Sequence, residues 1–485
     1  MRRFFILIGM LVVLLLFSCS SSHSSNDTDI LLDSDEDTQD SETTEDDLDS
    51  ELDWDDGEPD ETNDEIFEKT EPINGYARCY DKIPAGDYEG FFADPDLEYW
   101  IKRSLNYDED YELTEEDLKN ITELAVYAHD LRGIEKLVNL EYLQIRVQIS
   151  DGNIYDFTPL SKLEKLKELK INASSMTCLD GSFSMLTNLE TLEIEDTKLK
   201  DVSPIEQLVN VKTLKLSENH QIEFLPENLG NLQKLEYLAL SYNNIKNVKP
   251  VSSLTNLKKL YFHYNDVEDI SPIKCLVNLT EFGAQGNQIK DISAVTNLVN
   301  LTWLGLNQNQ IERIPKEIVN LKKLQILQLG FNNISNLPVL EGLNSLDTLW
   351  LDNNELNDND LITLDAFEYV QFLDIALNKF TKVPVLKNVK SLYELILTGN
   401  NISDLSGFAD NESFPALKRL DVGSNKIDNV EAFRNRKGLS TLWVDKNCIK
   451  DFSPLEELME RGTHVGGMNE QLESCERTIT LGEGE

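Results

Sequence analysis

From Leu124 onward, apolar side chains fall on a repeating lattice, and one polar residue keeps step with them. The pattern is LxLxxNxI, as in LALSYNNI from Leu238, LGLNQNQI from Leu304 and LQLGFNNI from Leu327. Eleven asparagines mark it: Asn219, Asn243, Asn265, Asn287, Asn309, Asn332, Asn354, Asn378, Asn400, Asn425 and Asn447. Most are 22 residues apart, with a few intervals of 23 to 25. Alternation over three positions predicts a short strand whose odd residues face one way. Leu238 and Leu240, or Leu304 and Leu306, then point inward, while Ile245 and Val248, or Ile311 and Ile314, fill the same interior from the return path. The asparagine stands where the chain leaves the strand and backbone groups lose their ladder partners. Its amide both donates and accepts, so it can bond backbone in its own turn and in the next. Aspartate would lack the donor, and leucine would leave the backbone unsatisfied.

A period in the low twenties with this pattern is the signature of a leucine-rich-repeat solenoid, an α/β fold that works through an extended surface. Strand positions begin at Leu124, Leu143, Leu169, Leu192, Leu214, Leu238, Leu260, Phe282, Leu304, Leu327, Leu349, Leu373, Leu395, Leu420 and Leu442, which gives fifteen turns. At roughly 4.8 Å per strand the sheet would extend about 70 Å. DVSPIEQLVN from Asp201, DISPIKCLVN from Asp269 and DFSPLEEL from Asp451 place Ser before Pro, which reads as an N-cap and a first helical residue. These predict short helical turns on the convex side. FLPENLGNLQKL from Phe224 and IPKEIVNLKKL from Ile314 are longer, and predict longer helical turns with a local change of curvature.

A solenoid needs caps on its ends. DPDLEYWIKRSL offers Asp94 as N-cap and Pro95 at the first helical position, with Leu97, Trp100, Ile101 and Leu105 along one face. In LTEEDLKNI, Thr114 and Asp117 have capping-box spacing. A helical cap of the form FADPDLEYWIKRSL…LTEEDLKNITEL, leading into SPIxxLxNLxxLxL repeats, resembles the internalin-type leucine-rich-repeat proteins of bacteria. The resemblance spans about residues 88 to 460. It implies a right-handed arc with the parallel sheet on its concave side, protein partners, no catalysis and no cofactor. It does not extend to the immunoglobulin-like module or wall-anchoring tail that many internalins carry, so an invasion-type role is not implied.

The chain opens MRRFFILIGMLVVLLLFSCSSS, a basic start followed by an apolar run from Phe4 to Phe17, which has the form of a secretory signal peptide. Leu16-Phe17-Ser18-Cys19 resembles the bacterial lipobox, in which the cysteine becomes the acylated N-terminus. Phe17 is bulkier than usual there. The alternative is an ordinary signal peptide with an incidental cysteine. Ser20 is not the aspartate that retains lipoproteins at the inner membrane of well-studied Gram-negative bacteria, so an exported protein anchored by lipid at the outer membrane or cell surface is expected. The predicted layout is a signal peptide (1–18), a Ser-rich tether (19–25), an acidic disordered linker (26–75), a helical cap (76–122), the repeats (123–455) and a C-terminal cap (456–485).

Formal charge is −44, and residues 26–70 hold 22 acidic residues against one lysine. Such a run repels itself, buries no core and reads as an extended spacer. Calcium binding is the sharper alternative, but no stretch matches the loop D-x-[DN]-x-[DN]-G-x5-E. The negative balance argues against nucleic acid. Without a second apolar span, membrane contact is expected through the lipid alone.

Of the five remaining cysteines, Cys448 and Cys475 both fall in the C-terminal cap, where a bridge would contribute roughly 3 kcal/mol. The alternative is two free thiols. Cys178 and Cys275 are four turns apart, on the order of 19 Å, too far to bridge each other. They read as packing or partly exposed thiols, and Cys79 has no evident partner.

No histidine pair or cysteine cluster has metal spacing, and no nucleophile elbow, phosphate loop or HExxH occurs, so no enzyme is expected. His129 occupies the ladder position of the first turn and reads as structural. GTHVGGMNE reads as a turn in the cap. The sequons at Asn278 and Asn300 recur because the repeat itself spells NLT. The informative residues are those the core leaves free. Slots one before, one after and three after the first inward leucine present Tyr237, Tyr261, His263, Trp303, Trp350, Phe372 and Trp443. Tyr242, Tyr264 and Phe331 lie one place further on. Earlier strands present Glu123, Glu168, Lys170, Glu193 and Lys215, an ordinary solvated face. Clustered exposed aromatics mark recognition surfaces, which predicts a concave site for a protein or glycan, centred on Tyr261, Trp303, Trp350 and Phe372 as one patch. Alternatively, the rings merely brace a curved sheet by cross-strand contact. At the level of function, the other class is a structural envelope component that associates with itself.

Overall fold

A computed structural model describes residues 67–69, 82–84, 87–147, 156–174, 176–366, 368–383, 386 and 388–475. The expected signal peptide, Cys19 and the Ser-rich tether lie outside the described residues, as does the acidic linker apart from Phe67–Lys69. Strand β1 (Phe67–Lys69) pairs with β2 (Lys82–Pro84).

The repeats form a parallel sheet of sixteen strands in strict chain order. Its first six are β3 (Glu123–Tyr127), β4 (Tyr142–Val147), β5 (Glu168–Ala173), β6 (Thr191–Ile194), β7 (Thr213–Lys215) and β8 (Tyr237–Ala239). Next come β9 (Lys259–Tyr261), β10 (Glu281–Gly283), β11 (Trp303–Gly305), β12 (Ile326–Gln328) and β13 (Thr348–Trp350). The last five are β14 (Phe372–Asp374), β15 (Glu394–Ile396), β16 (Arg419–Asp421), β17 (Thr441–Trp443) and β18 (His464–Gly466). Leucine aligns with leucine throughout the middle of the stack, Leu304 with Leu327 and Leu327 with Leu349. In one typical turn Leu238, Leu240, Ile245, Val248, Val251, Leu254 and Leu257 are all buried. Burial of each such side chain contributes roughly 2 kcal/mol.

The asparagines do the work their position suggests. Asn265 donates from Nδ2 to the Leu240 carbonyl of the preceding turn (3.0 Å) and to its own Phe262 carbonyl (3.1 Å). Its Oδ1 accepts the Ile245 N–H at 2.9 Å. Asn309 repeats the scheme with Ala284, Leu306 and Ile289. Asn243 breaks it. The previous turn reads Asn219-His220-Gln221-Ile222, one residue longer than the Asn-x-Ile spacing, and the buried Asn243 Oδ1 has no partner. The capping turn supplies a member that the sequence pattern missed. Gln471 accepts from Ile449 N–H (3.2 Å) and donates to the carbonyls of Val444 (2.9 Å) and Gly467 (2.8 Å). One extra methylene lets it reach as an asparagine does elsewhere.

At the start, α1 (Pro95–Ser104) has Asp94 as N-cap, accepting from Asp96 N–H at 2.8 Å, and buries Leu97 and Ile101. Helix α2 (Glu115–Lys119) carries the capping box of Thr114 and Asp117. A short α3 (Leu361–Leu364) lies in one connection, and α4 (Ser453–Glu460) buries Leu455 and Leu458 at the far end. Cys448 and Cys475 are bonded, with Cα atoms 5.5 Å apart. Among the described residues no helix is long and apolar enough to cross a membrane.

Four expectations are corrected. The serines of the SP motifs do not cap. Asp201, Asp269 and Asp451, two residues earlier, accept the Ser203, Ser271 and Ser453 N–H groups at 2.7–3.0 Å, because a carboxylate two residues back closes the turn with the better acceptor. Most convex turns are 3-10 helices, and the two long connections do not lengthen them. Leu229–Asn231 spans three residues, and Lys316–Asn320 spans five, as does Ser271–Cys275. The segment GTHVGGMNE is not only a turn, since His464–Gly466 pairs in register with β17 as a sixteenth strand. Finally, Cys178 and Cys275 each have a partner and are not free thiols. The distance between them excluded only their mutual pairing.

Replacing Asn265 or Asn309 by alanine orphans one buried N–H and removes one of the two ladder-amide donors from each of two carbonyls, and should lower unfolding free energy by about 2 kcal/mol. Asn243→Ala should cost about 1 kcal/mol less, since its Oδ1 bond does not exist. Denaturant unfolding of the three variants measures both.

Candidate ligand-binding face

Strand parity leaves three outward rows on the sheet, and their chemistry changes along the stack. At the N-terminal end it is neutralised. Lys170 bridges Glu168 (3.1 Å) and Glu193 (3.3 Å), and Lys215 holds Glu193 from the other side at 2.7 Å.

The centre is a joined set of rings. Tyr237 lies 5.6 Å from Tyr261, Tyr261 lies 5.8 Å from His263 and 6.0 Å from Trp303, and His263 lies 6.1 Å from Trp303. Two glycines make room for them. A Cβ on Gly283 would sit 2.8 Å from one Trp303 ring carbon, and one on Gly305 would sit 2.7 Å from another. The indole therefore lies down on the sheet. The Tyr261 hydroxyl donates to Glu281, which also pairs with Lys259 at 2.8 Å. Burial, then that hydrogen bond, pushes the Tyr261 phenol well above its usual range. Burial opposes ionisation of Glu281, yet Lys259 and Tyr261 together hold its carboxyl below the ordinary value. Burial also lowers His263, which keeps its ring neutral near pH 7, and His263 Nδ1 accepts from Gln285 N–H at 3.1 Å.

Tyr242, Tyr264 and Phe331 stand at one rim, each exposed and each with positive φ, 56°, 50° and 54°. All eleven residues that precede a ladder asparagine share that left-handed conformation. Glycine fills the slot without strain at Gly286 and Gly399, whereas a side chain there costs about 1–2 kcal/mol. Tyr242 and Tyr264 nonetheless stack, 4.8 Å apart and 18° from parallel.

Trp350 and Phe372 form a second ring pair at 5.2 Å. The four residues expected as one patch thus fall into two groups. Ile326 and Gln328 of β12 stand between β11 and β13, so Tyr261 meets Trp303, and Trp350 meets Phe372, without the pairs touching. Trp443 is separate and partly exposed, three strands beyond Phe372. Around this second group lie carboxylates that sequence reasoning passed over: Asp352, Asp374, Asp421 and Asp445. Their signal was present, an aspartate directly after an inward leucine or valine in LDNN, LDIA, LDVG and VDKN. Burial pushes Asp374 up to about 7, with Asp352, Asp421 and Glu394 adding repulsion against a single stabilising N–H from Ala376. Burial raises Asp421 as well. Among the described residues, no group of three or more His, Cys, Asp or Glu is placed to hold a metal ion.

A stack of LxLxxNxI turns with one continuous parallel sheet defines a leucine-rich-repeat solenoid, and its outward rows are where such a protein meets a ligand. Residues 276–461 match the family model "Leucine-rich repeat region", and residues 233–275 match "Leucine Rich repeats (2 copies)". Lumican from Homo sapiens is 31% identical over 130 residues, 26% of this chain and 38% of lumican. The chain thus spans well under half the length of that curated relative. Among solved structures, an internalin (inlF) from Listeria monocytogenes is 26% identical with a TM-score of 0.53, over 78% of this chain and 96% of that one. The plant peptide hormone receptor RGFR1, in complex with RGF2, is 20% identical with a TM-score of 0.57, over 73% and 64%.

Asp374 yields a pH test. Its folded value lies above the unfolded carboxylate value of about 3.9, so the folded state holds the proton more tightly. Its stabilising contribution is complete below that unfolded value and is lost as pH rises through about 7. The charged groups facing it are Asp352, Asp421 and Glu394, and Arg419, the cation nearby, is engaged by Glu394 at 3.4 Å. Relative to wild type, Asp374→Asn should be more stable at about pH 8 than at about pH 5, read from thermal melts. A difference that does not vary with pH would contradict this.

Proposed function

We propose that this chain is an exported, lipid-anchored protein of the bacterial surface that captures a protein partner on the concave sheet. The carrying observation is the joined cluster of Tyr237, Tyr261, His263 and Trp303, rings laid over Gly283 and Gly305. Rings that served only to brace the sheet could stack on leucine or threonine neighbours. Here the sheet beneath is stripped to glycine, which flattens the surface and leaves ring faces available. Large aromatic surfaces of this kind dominate interface hot spots. The similar plant peptide hormone receptor was solved in complex with RGF2, and the similar internalin is matched over 96% of its length. Cys19 supplies the anchor, the acidic segment that follows acts as a spacer, and the outer membrane is the site of display.

Tyr261→Ala with Trp303→Ala removes no fully buried side chain. Each truncation should weaken capture of a partner from native surroundings by about 2 kcal/mol or more, while the melting temperature shifts little. Pull-down and thermal unfolding on the same preparation decide it, and collapse of folding with capture intact until that point would make the rings structural. A second test addresses the anchor. Cys19→Ala should abolish labelling by an alkyne fatty acid and release the protein from membranes. Label retained by the variant would exclude Cys19 as the acylated residue.

A further inference from the structure

The concave face changes character beyond β12, and that change is not explained by the central ring cluster. Along one outward row, strand register sets Trp350 beside Asp374, Asp374 beside Ile396, Ile396 beside Asp421 and Asp421 beside Trp443. Along the next row run Asp352, Ala376, Thr398, Gly423 and Asp445, joined by backbone bonds from Asn353 to Ala376, Leu377 to Thr398, Gly399 to Gly423 and Ser424 to Asp445. Small residues occupy the middle of that second row. The result is a shallow lane with tryptophan at each end and a carboxylate on four of its five strands.

We propose that this lane receives a cationic segment of the protein partner, with Lys or Arg side chains seated between Trp350 and Trp443 against Asp352, Asp374, Asp421 and Asp445. The proposal rests on the concave face being the ligand face, and it adds the chemistry of the ligand.

Three observations carry it. First, the charge is uncompensated. Among the described residues none of the four aspartates forms a salt bridge, whereas Glu168 and Glu193 on the same face are clasped by lysines. The contacts the aspartates do make are weak substitutes: Ala376 N–H to Asp374 (3.0 Å), Gly423 N–H to Asp421 (2.9 Å) and the Asn353 amide to Asp352 (2.9 Å). Secondly, Asp352 is only 8% exposed, and its Oδ1 has no hydrogen-bond partner. A buried carboxylate oxygen without a donor is costly in any fold, and like charges on neighbouring strands add to that cost. Thirdly, the lane supplies what a cation needs besides charge. Trp350 and Phe372 lie 5.2 Å apart with their rings tilted by 34°, Trp443 is 36% exposed, and indole faces attract guanidinium and ammonium groups.

A polypeptide fits better than an ion. Asp374 and Asp421 are two strands apart, about 10 Å, too far to share one metal. Nearly the same distance separates every third residue of a polyproline II segment, at about 3.1 Å per residue and three residues per turn, which also sets those side chains on one face. A segment crossing the strands with basic residues at that interval would meet the carboxylates one by one.

The test uses the full chain and a glycine peptide carrying arginine at every third position, with its citrulline counterpart as a neutral isostere. Calorimetry should show binding of the arginine peptide and none of the citrulline one. The variant Asp374→Asn with Asp421→Asn should weaken binding at least about tenfold, as truncation of buried charge partners does, and should melt no lower than wild type. The matched control Glu168→Gln with Glu193→Gln removes the same charge from the paired end of the sheet and should change affinity less than about twofold. Trp443→Ala, at the partly exposed end of the lane, should also weaken binding. Equal loss in both double variants would mean that the peptide responds only to overall negative charge, and would overturn the proposal, as would no loss in either. Lane-dependent binding of the arginine peptide alongside a failed pull-down counts against the central-cluster reading alone. Lane-independent binding alongside a pull-down that the central rings control counts against this inference alone.

Discussion

Everything on the concave face hangs on a side-chain amide bonded across turns. A leucine-rich turn leaves its strand after three or so residues, and each exit strands an N–H and two carbonyls inside an apolar stack. Asn265 answers all three at once, reaching Leu240, Phe262 and Ile245. Because the bond joins one turn to its predecessor, it fixes the rise and register of neighbouring strands together. Register in turn decides which residues become neighbours on the outer surface. Gln471 shows that the constraint is geometric rather than compositional, since a longer amide satisfies it where the cap departs from the repeat.

The same ladder imposes a cost beside it. The residue before each asparagine must take positive φ, and Tyr242, Tyr264 and Phe331 accept strain that Gly286 and Gly399 avoid. Side chains at that slot project at the rim, where Tyr242 and Tyr264 stack. Rigid aromatics lose little entropy when a partner arrives, so local strain and ligand readiness are compatible outcomes of one backbone requirement.

Electrostatics divides the face into three. Ion pairs satisfy the charges of β5 to β7, aromatic rings cover β8 to β11, and between β13 and β17 stand Asp352, Asp374, Asp421 and Asp445, which form no salt bridge among the described residues. The last region is less stable than a neutral one would be, as the upward displacement of Asp374 to about 7 records. Stability given up on a concave surface, away from any structural need, is the usual mark of a surface shaped for something else.

The repeat, its strands, the buried leucines, the Asp94 cap and the outward parity of Trp303 or Trp350 were legible in the sequence, because each follows from spacing within one turn. Strand alternation and hydrogen-bond capacity are local properties, and a period reports them directly. Other features needed the stack. The strand at His464–Gly466 and the orphaned Oδ1 of Asn243 depend on what the neighbouring turn presents. Tertiary structure alone separated Tyr261 and Trp303 from Trp350 and Phe372, and gave Cys178 and Cys275 their partners. It alone gathered Asp352, Asp374 and Asp421 from turns some twenty residues apart and, among the described residues, paired none of them with a cation. Distances between turns and the sum of burial and charge at a point are properties of the assembled surface, and no single repeat contains them.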